Sequence, residues 1–238
     1  MTQQATTFVL VHGSWCGGWV WQDVRALLEA EGHRVYAPTL SGLADRSHLL
    51  GGGINLTTHI DDIANLVRWE GLEDIVLVGH SYAGLVISGV ADRIGAERIR
   101  SIVYLDAFYL PDGVRAAGAE VEIHRPRLIE VDGVRCLQPA DTALAFGLDP
   151  ALAEKVNALL TPMPAAAFAE KPVVLGERDR VTRKTFIIAE RCTMPFFHPI
   201  GEAMASRADW IVERMDCDHL MMLEHPRATA DLLLRAAG

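Results

Sequence analysis

An α/β domain with a mostly parallel sheet, helices on both faces and a small cap insertion is the fold class this sequence predicts. Three observations carry that reading. Solidly apolar runs of strand length alternate with segments of helical spacing over the first 105 residues. Each run ends at Gly, Pro or a polar turn rather than in a hairpin signal. The pattern then breaks and returns near the carboxyl end. Strands apolar on every residue are buried on both faces, and that is the habit of parallel sheets covered by helices.

The elements follow in order. Phe8-Val9-Leu10-Val11 is a buried strand ending at His12-Gly13. Trp21 to Glu31 carries Val24, Leu27 and Leu28 on one helical face, and Gly32 stops it. Arg34 to Ala37 is a second strand, closed by Pro38. Thr58 to Arg68 is a helix with Ile60, Ile63, Ala64 and Val67 together, after a flexible Gly51-Gly52-Gly53 turn. Asp74 to Val78 is a third strand, broken by Gly79; Ala83 to Ile94 is a helix, and Ile99 to Leu105 a fourth strand. Residues 111–180 hold seven prolines and short helical stretches such as Ala151–Leu160. Strand patterns resume at Thr185–Ile188 and Trp210–Val212, and a last helix runs from Pro226 to Ala236. Residues 1–110 and 181–238 therefore make the core, and 111–180 an insertion capping the carboxyl ends of the strands, where α/β sheets bind ligands.

Composition narrows the function. The chain has 238 residues, 50% hydrophobic and 22% charged, with 22 Lys+Arg against 31 Asp+Glu and a net charge of −9. Disorder is excluded as the main state, and an acidic surface excludes nucleic acid as the main partner. No apolar run is long enough to span a membrane, and no signal peptide is visible, so a cytoplasmic protein is expected. Four cysteines stand singly, without a CxxC pair, which speaks for reduced thiols and against a structural zinc. No HExxH, EF-hand or Walker A motif is present, and the expected chemistry needs no metal or cofactor.

That chemistry centres on Gly79-His80-Ser81-Tyr82-Ala83-Gly84, directly after a buried strand and opening a helix. Only small residues fit two positions either side of a serine in so tight a turn, and Gly79 and Ala83 hold those places. Ser81 is the expected nucleophile. Its base should lie beyond the last strand; His219 stands at that strand's carboxyl end, whereas His225 precedes Pro226 and suits a capping role. The acid has two candidates: Asp106 closes the strand after the nucleophile, and Glu190 follows the Thr185–Ile188 strand. The oxyanion should be held by the N–H groups of Tyr82 and of Ser14, in the His12-Gly13-Ser14-Trp15 loop. Trp15, Phe108, Tyr109, Phe146, Phe196 and Leu220 are candidates to line an apolar substrate pocket, alongside Tyr82.

Phe8 to Trp19, Gly79 to Gly84 and Asp218 to Met222 resemble the α/β-hydrolase superfamily, in the branch of plant methylesterases and hydroxynitrile lyases. Leu40 to His48 and Tyr104 to Phe108 resemble its bacterial esterases, such as those that hydrolyse carbendazim and pyrethroids. The resemblance covers almost the whole chain and is weakest in 111–180. It implies Ser81 as nucleophile and His219 as base. The plant enzymes carry their acid where this chain has Cys192, a departure that favours Asp106; cofactor-free dioxygenases of the superfamily place theirs as Asp106 stands. The lyases add a Lys after the histidine and a Thr in the first loop, where this chain has Leu220 and Gly13. The expected activity is hydrolysis of a small apolar or aromatic carboxylic ester, with carbamates or amides as extensions. The alternatives are a cofactor-free oxygenase or carbon–carbon lyase using His219 as base, and a ligand sensor on the same fold. A homodimer is left open.

Overall fold

A computed structural model describes residues 5–110, 128–171 and 173–238; the expected insertion therefore lies partly outside the described residues. Six strands form one parallel sheet: β1 Thr7–Val11, β2 Arg34–Tyr36, β3 Ile75–His80, β4 Ile99–Leu105, and, after three short strands of a second sheet, β8 Lys184–Ala189 and β9 Ile211–Met215. Their order is β2-β1-β3-β4-β8-β9, with every neighbouring pair parallel. β3 and β8 are buried at every residue, which is why their sequences read as unbroken apolar runs.

The chain steps outward from β1 to β2 and then back past it to β3. Right-handed crossovers require the connecting helices to change face at such a reversal. Accordingly α1 (Gln22–Ala30) packs against the last helix, Pro226–Ala237, while α2 (Leu56–Trp69) packs against α3 (Ala83–Ile94). The crevice between the carboxyl ends of β1 and β3 is the topological switch point.

Two boundaries differ from expectation for identifiable reasons. α2 starts at Leu56 because Asn55 and Thr58 form a reciprocal capping box, Asn55 Oδ1 accepting from Thr58 N at 3.0 Å. β3 does not break at Gly79; it runs on to His80, and Gly79 pairs with both Val11 and Tyr104. Its missing side chain serves the helix instead, because a Cβ there would lie 2.8 Å from the Ala83 carbonyl oxygen.

The 128–170 segment holds a second, three-stranded antiparallel sheet of β5 (Leu128–Val131), β6 (Val134–Leu137) and β7 (Met163–Pro164). Sequence reading missed this hairpin. Its turn is Asp132-Gly133, both at positive φ (49° and 78°), the pair that a tight hairpin favours. Short helices Thr142–Phe146, Pro150–Asn157 and Ala165–Ala169 complete the segment. It is tied to the loop after β1 and to the first turn of α2: Trp15 Nε1 donates to Leu137 O at 3.1 Å, Thr161 N to Trp15 O at 3.0 Å, and Thr57 N to Glu170 at 2.8 Å. Residues Glu177–Arg180 pack instead on α3, where Arg178 Nη1 donates to Ser88 Oγ at 3.1 Å. All four cysteines are buried free thiols. No helix among the described residues is long and apolar enough to cross a membrane.

Helix α3 meets the chain leaving β4 closely at Gly84, where a Cβ would lie 2.1 Å from the Phe108 carbonyl oxygen. Both partners are backbone, so neither can rotate away. Gly84→Ala is expected to destabilise the fold by about 2–3 kcal/mol, read as a lowered denaturant midpoint at unchanged m-value.

Candidate active site

Ser81 sits between the end of β3 and the start of α3 with φ of 56°. A non-glycine residue in the left-handed region is strained and persists only where its surroundings hold it. Here they do. Ser81 N donates to Leu105 O at 3.2 Å, and Ser81 O accepts from Gly84 N and Phe108 N, both at 3.1 Å. The serine is thus clamped between α3 and the chain leaving β4.

That same exit carries Asp106, also at positive φ (41°), with its N–H on Ile187 O at 2.8 Å. Its side chain is wholly buried, and Oδ2 lies 2.7 Å from His219 Nδ1. His219 follows β9 and is buried as well. A carboxylate accepts, so Nδ1 carries the proton and Nε2 is left as the basic nitrogen on the opposite side of the ring. Ser81 and His219 line one pocket. The ring is wedged between aromatics: Phe197 stacks on it at 5.0 Å and 8°, and Phe146 lies 5.1 Å away. The other candidate acid, Glu190, is exposed on the surface. His225 stands at the N-cap of the last helix, but its side chain makes no capping bond and lies near Glu224 instead.

Cys192 completes the buried cluster. Its Sγ is 4.0 Å from His219 Nδ1. Burial, then the charge of Asp106 beside it, pushes the thiol far above its ordinary value, so it stays an S–H that can donate to Asp106. Asp106, Cys192 and His219 bring their donor atoms within 4.8 Å of one another, a set able to hold a metal ion. Any ion would have to displace the Nδ1 and Sγ protons that already bind the set to itself.

Three more histidines brace the surrounding loops, each neutral and each with its tautomer dictated by its partners. His12 Nδ1–H donates to Gly13 O at 2.8 Å, and its Nε2 accepts from Leu40 N at 3.0 Å. Burial lowers its pKa from 6.5 to about 4. His59 Nε2–H donates to Ser41 O at 3.0 Å, and its Nδ1 faces the Tyr82 hydroxyl at 2.9 Å. His80 Nε2–H donates to the His219 carbonyl at 2.9 Å, fixing the backbone that carries the His219 ring. Burial, and then the neighbouring His219, hold His80 well below the ordinary histidine value. These roles were not foreseen; a run such as Gly79-His80-Ser81 marks the serine but says nothing of its neighbour's partner.

The loop after β1 presses on the serine turn. A Cβ on Gly13 would lie 2.9 Å from His80 Nδ1 and 3.0 Å from Ser81 Cβ. Ser14 is 6% exposed, and its Oγ is buried without a hydrogen-bond partner. Trp15 holds φ of 62°, unusual for a bulky residue. Tyr82 opens α3, so its N–H belongs to the positive end of that helix.

The pocket enclosed by these elements is narrow and nearly closed, with a cavity volume of about 10 Å³. Of the expected lining residues it brings together Trp15, Phe146 and Leu220, and it adds Cys16, Thr142 and Leu160. Tyr82, Phe108, Tyr109 and Phe196 are not among its lining. Phe108 packs on Phe196 and Phe197, forming the layer behind the His219 ring. Tyr109 packs on Tyr104 and Trp210 under the Arg178 guanidinium, its hydroxyl on Asp179. Aromatic identity alone does not tell a pocket wall from the layer that supports it.

A strained serine, a buried carboxylate–imidazole pair and a parallel sheet with its site at the switch point define an α/β hydrolase. The profile of the alpha/beta hydrolase family matches residues 8–232, and the chain belongs to that family of enzymes. Within it, the chain is 36% identical over 239 residues to the carbendazim hydrolyzing esterase of Nocardioides sp. (strain SG-4G), covering 95% of this chain and 97% of that one. It is 40% identical over 116 residues to Methylesterase 1 of Arabidopsis thaliana, covering 44% of this chain and 40% of that protein. An extracellular alpha/beta-hydrolase from a Paenibacillus species superposes with a TM-score of 0.83 at 24% identity, over 97% of this chain and 98% of that one. The family resemblance read from the motifs is borne out.

Burial disfavours the charged form of His12, so the folded chain binds that proton less tightly than the unfolded one, and protonation would also cost the Leu40 bond. With pKa about 4 folded and 6.5 unfolded, the unfolded state holds more protons between those values. Stability therefore falls as pH drops from about 6.5 toward 4, by about 3 kcal/mol from this residue. His12→Gln, which can still accept from Leu40, is expected to flatten that slope by one proton's share in melting curves taken across the window.

Proposed function

We propose that the chain hydrolyses carboxylic esters through an acyl-enzyme on Ser81. The observation that carries this is the buried bond between His219 Nδ1 and Asp106, which leaves Nε2 basic in the pocket that Ser81 lines. His219 takes the Ser81 proton as the hydroxyl oxygen attacks the ester carbonyl. Asp106 keeps the imidazole in the required tautomer and stabilises the imidazolium that forms. The Ser14 and Tyr82 N–H groups hold the oxyanion. His219 then hands its proton to the departing alkoxide, and a water deprotonated by His219 releases the acid.

Trp15, Phe146, Leu160 and Leu220 give the pocket an apolar wall, suited to a compact apolar or aromatic substrate. The 128–170 segment acts as a cap, since Thr142, Phe146 and Leu160 from it close over Ser81. The likeness to an esterase named for carbendazim hydrolysis supports extending the substrate class to carbamates. A cyanide-releasing lyase is disfavoured, because the residue after His219 is the buried apolar Leu220 rather than a cation. An oxygenase using His219 as base would consume oxygen without acylating Ser81.

Incubation with an alkyl phosphonate ester is expected to add one phosphonyl group to the Ser81 peptide, and Ser81→Ala to abolish both the adduct and nitrophenyl ester turnover. Asp106→Asn should keep the fold but lower kcat by about 10³–10⁴-fold, through loss of the tautomer. Full turnover in Ser81→Ala would sink the mechanism.

A further inference from the structure

We infer that the Ser14 side-chain hydroxyl is a third donor to the oxyanion, acting beside the backbone N–H groups of Ser14 and Tyr82. This rests on the serine-esterase reading above and deepens it, since that reading uses only the backbone of Ser14.

Ser14 Oγ is a buried hydroxyl with no hydrogen-bond partner. Such a group loses its water and gains nothing in exchange, and among the unpartnered hydroxyls, which include Ser101 and Thr185, that of Ser14 belongs to a residue of the pocket lining, where a bound substrate can supply the partner. Its residue lines the same pocket as Ser81 and His219. The other hydroxyl of that lining beyond Ser81, Thr142 Oγ1, is already committed to Asn157 Oδ1 at 2.8 Å. The preceding Gly13 brings the loop so near that a Cβ there would lie 3.0 Å from Ser81 Cβ. Ser14 is thus carried to the edge of the reacting centre. Its N and Oγ are separated only by Cα and Cβ, so both hydrogens can converge on one oxygen. The Ser14 hydroxyl lends a hydrogen bond and keeps its proton; no bond to Ser14 forms or breaks. An oxygen bearing a full charge accepts a third donor more strongly than a neutral carbonyl does, so the hydroxyl favours the tetrahedral intermediate over the bound ester.

The experiment compares wild type, Ser14→Ala and Ser14→Thr on one nitrophenyl ester. All three keep the backbone N–H, and thermal melts confirm folding. Ser14→Ala is expected to lower kcat and kcat/KM together by about 10–100-fold with KM little changed. Ser14→Thr should stay within a few-fold of wild type. Affinity for a trifluoromethyl ketone, which forms an oxyanion on Ser81, should fall in Ser14→Ala by the same factor as kcat/KM. Affinity for the matching alcohol, which cannot form one, should not move. An unchanged kcat in Ser14→Ala overturns the inference, as does a loss confined to KM or an equal loss in Ser14→Thr; the hydroxyl would then serve an internal water or packing. Failure of wild type to take up phosphonate on Ser81 would strike the underlying reading instead.

Discussion

One hydrogen bond organises this molecule: Asp106 to His219, 2.7 Å long, between residues 113 apart in the chain. Asp106 could not be buried alone at acceptable cost, because an unpaired carboxylate in an apolar interior is strongly disfavoured. Together they fix the ends of β4 and the loop after β9 against each other. The surrounding structure serves to keep that pair dry and aimed. Phe197 and Phe146 restrain the ring. His80 holds the His219 backbone, and Cys192 adds a weak donor beside the carboxylate.

The three histidines that brace the site, His12, His59 and His80, follow a common logic. Each ties its own segment to a distant stretch of chain, and each uses one nitrogen as donor and the other as acceptor or as an unpaired site. His12 joins the loop after β1 to Leu40; His59 joins Ser41 to the Tyr82 hydroxyl. A neutral imidazole is a rigid two-ended connector in such a place. The connection depends on neutrality, and burial enforces it. His219 differs from them because one of its ends is given to a carboxylate, and that difference sets it apart from its histidine neighbours.

How much could be read beforehand divides by range. The buried strands, α1, α3 and the turn around Ser81 were legible, because apolar runs and small residues act through contacts within a few positions. The antiparallel sheet of the 128–170 segment was missed, although Asp132-Gly133 is a local signal, because prolines dominated the reading of that block. Gly79 reads in the sequence as a strand breaker, whereas its smallness answers to Ala83 of the helix that follows. The choice between Asp106 and Glu190 stayed open, since both close apolar strands.

Sequence alone determined the parallel sheet, the strained serine turn and the histidine beyond the last strand, since each depends on periodicity, residue size or order along the chain. Only the tertiary structure decided which carboxylate meets His219, which aromatics face the pocket, and that Ser14 Oγ is buried without a partner. Those outcomes depend on the direction of side chains from elements far apart in the chain. Direction is a property of packing, and no local pattern encodes it.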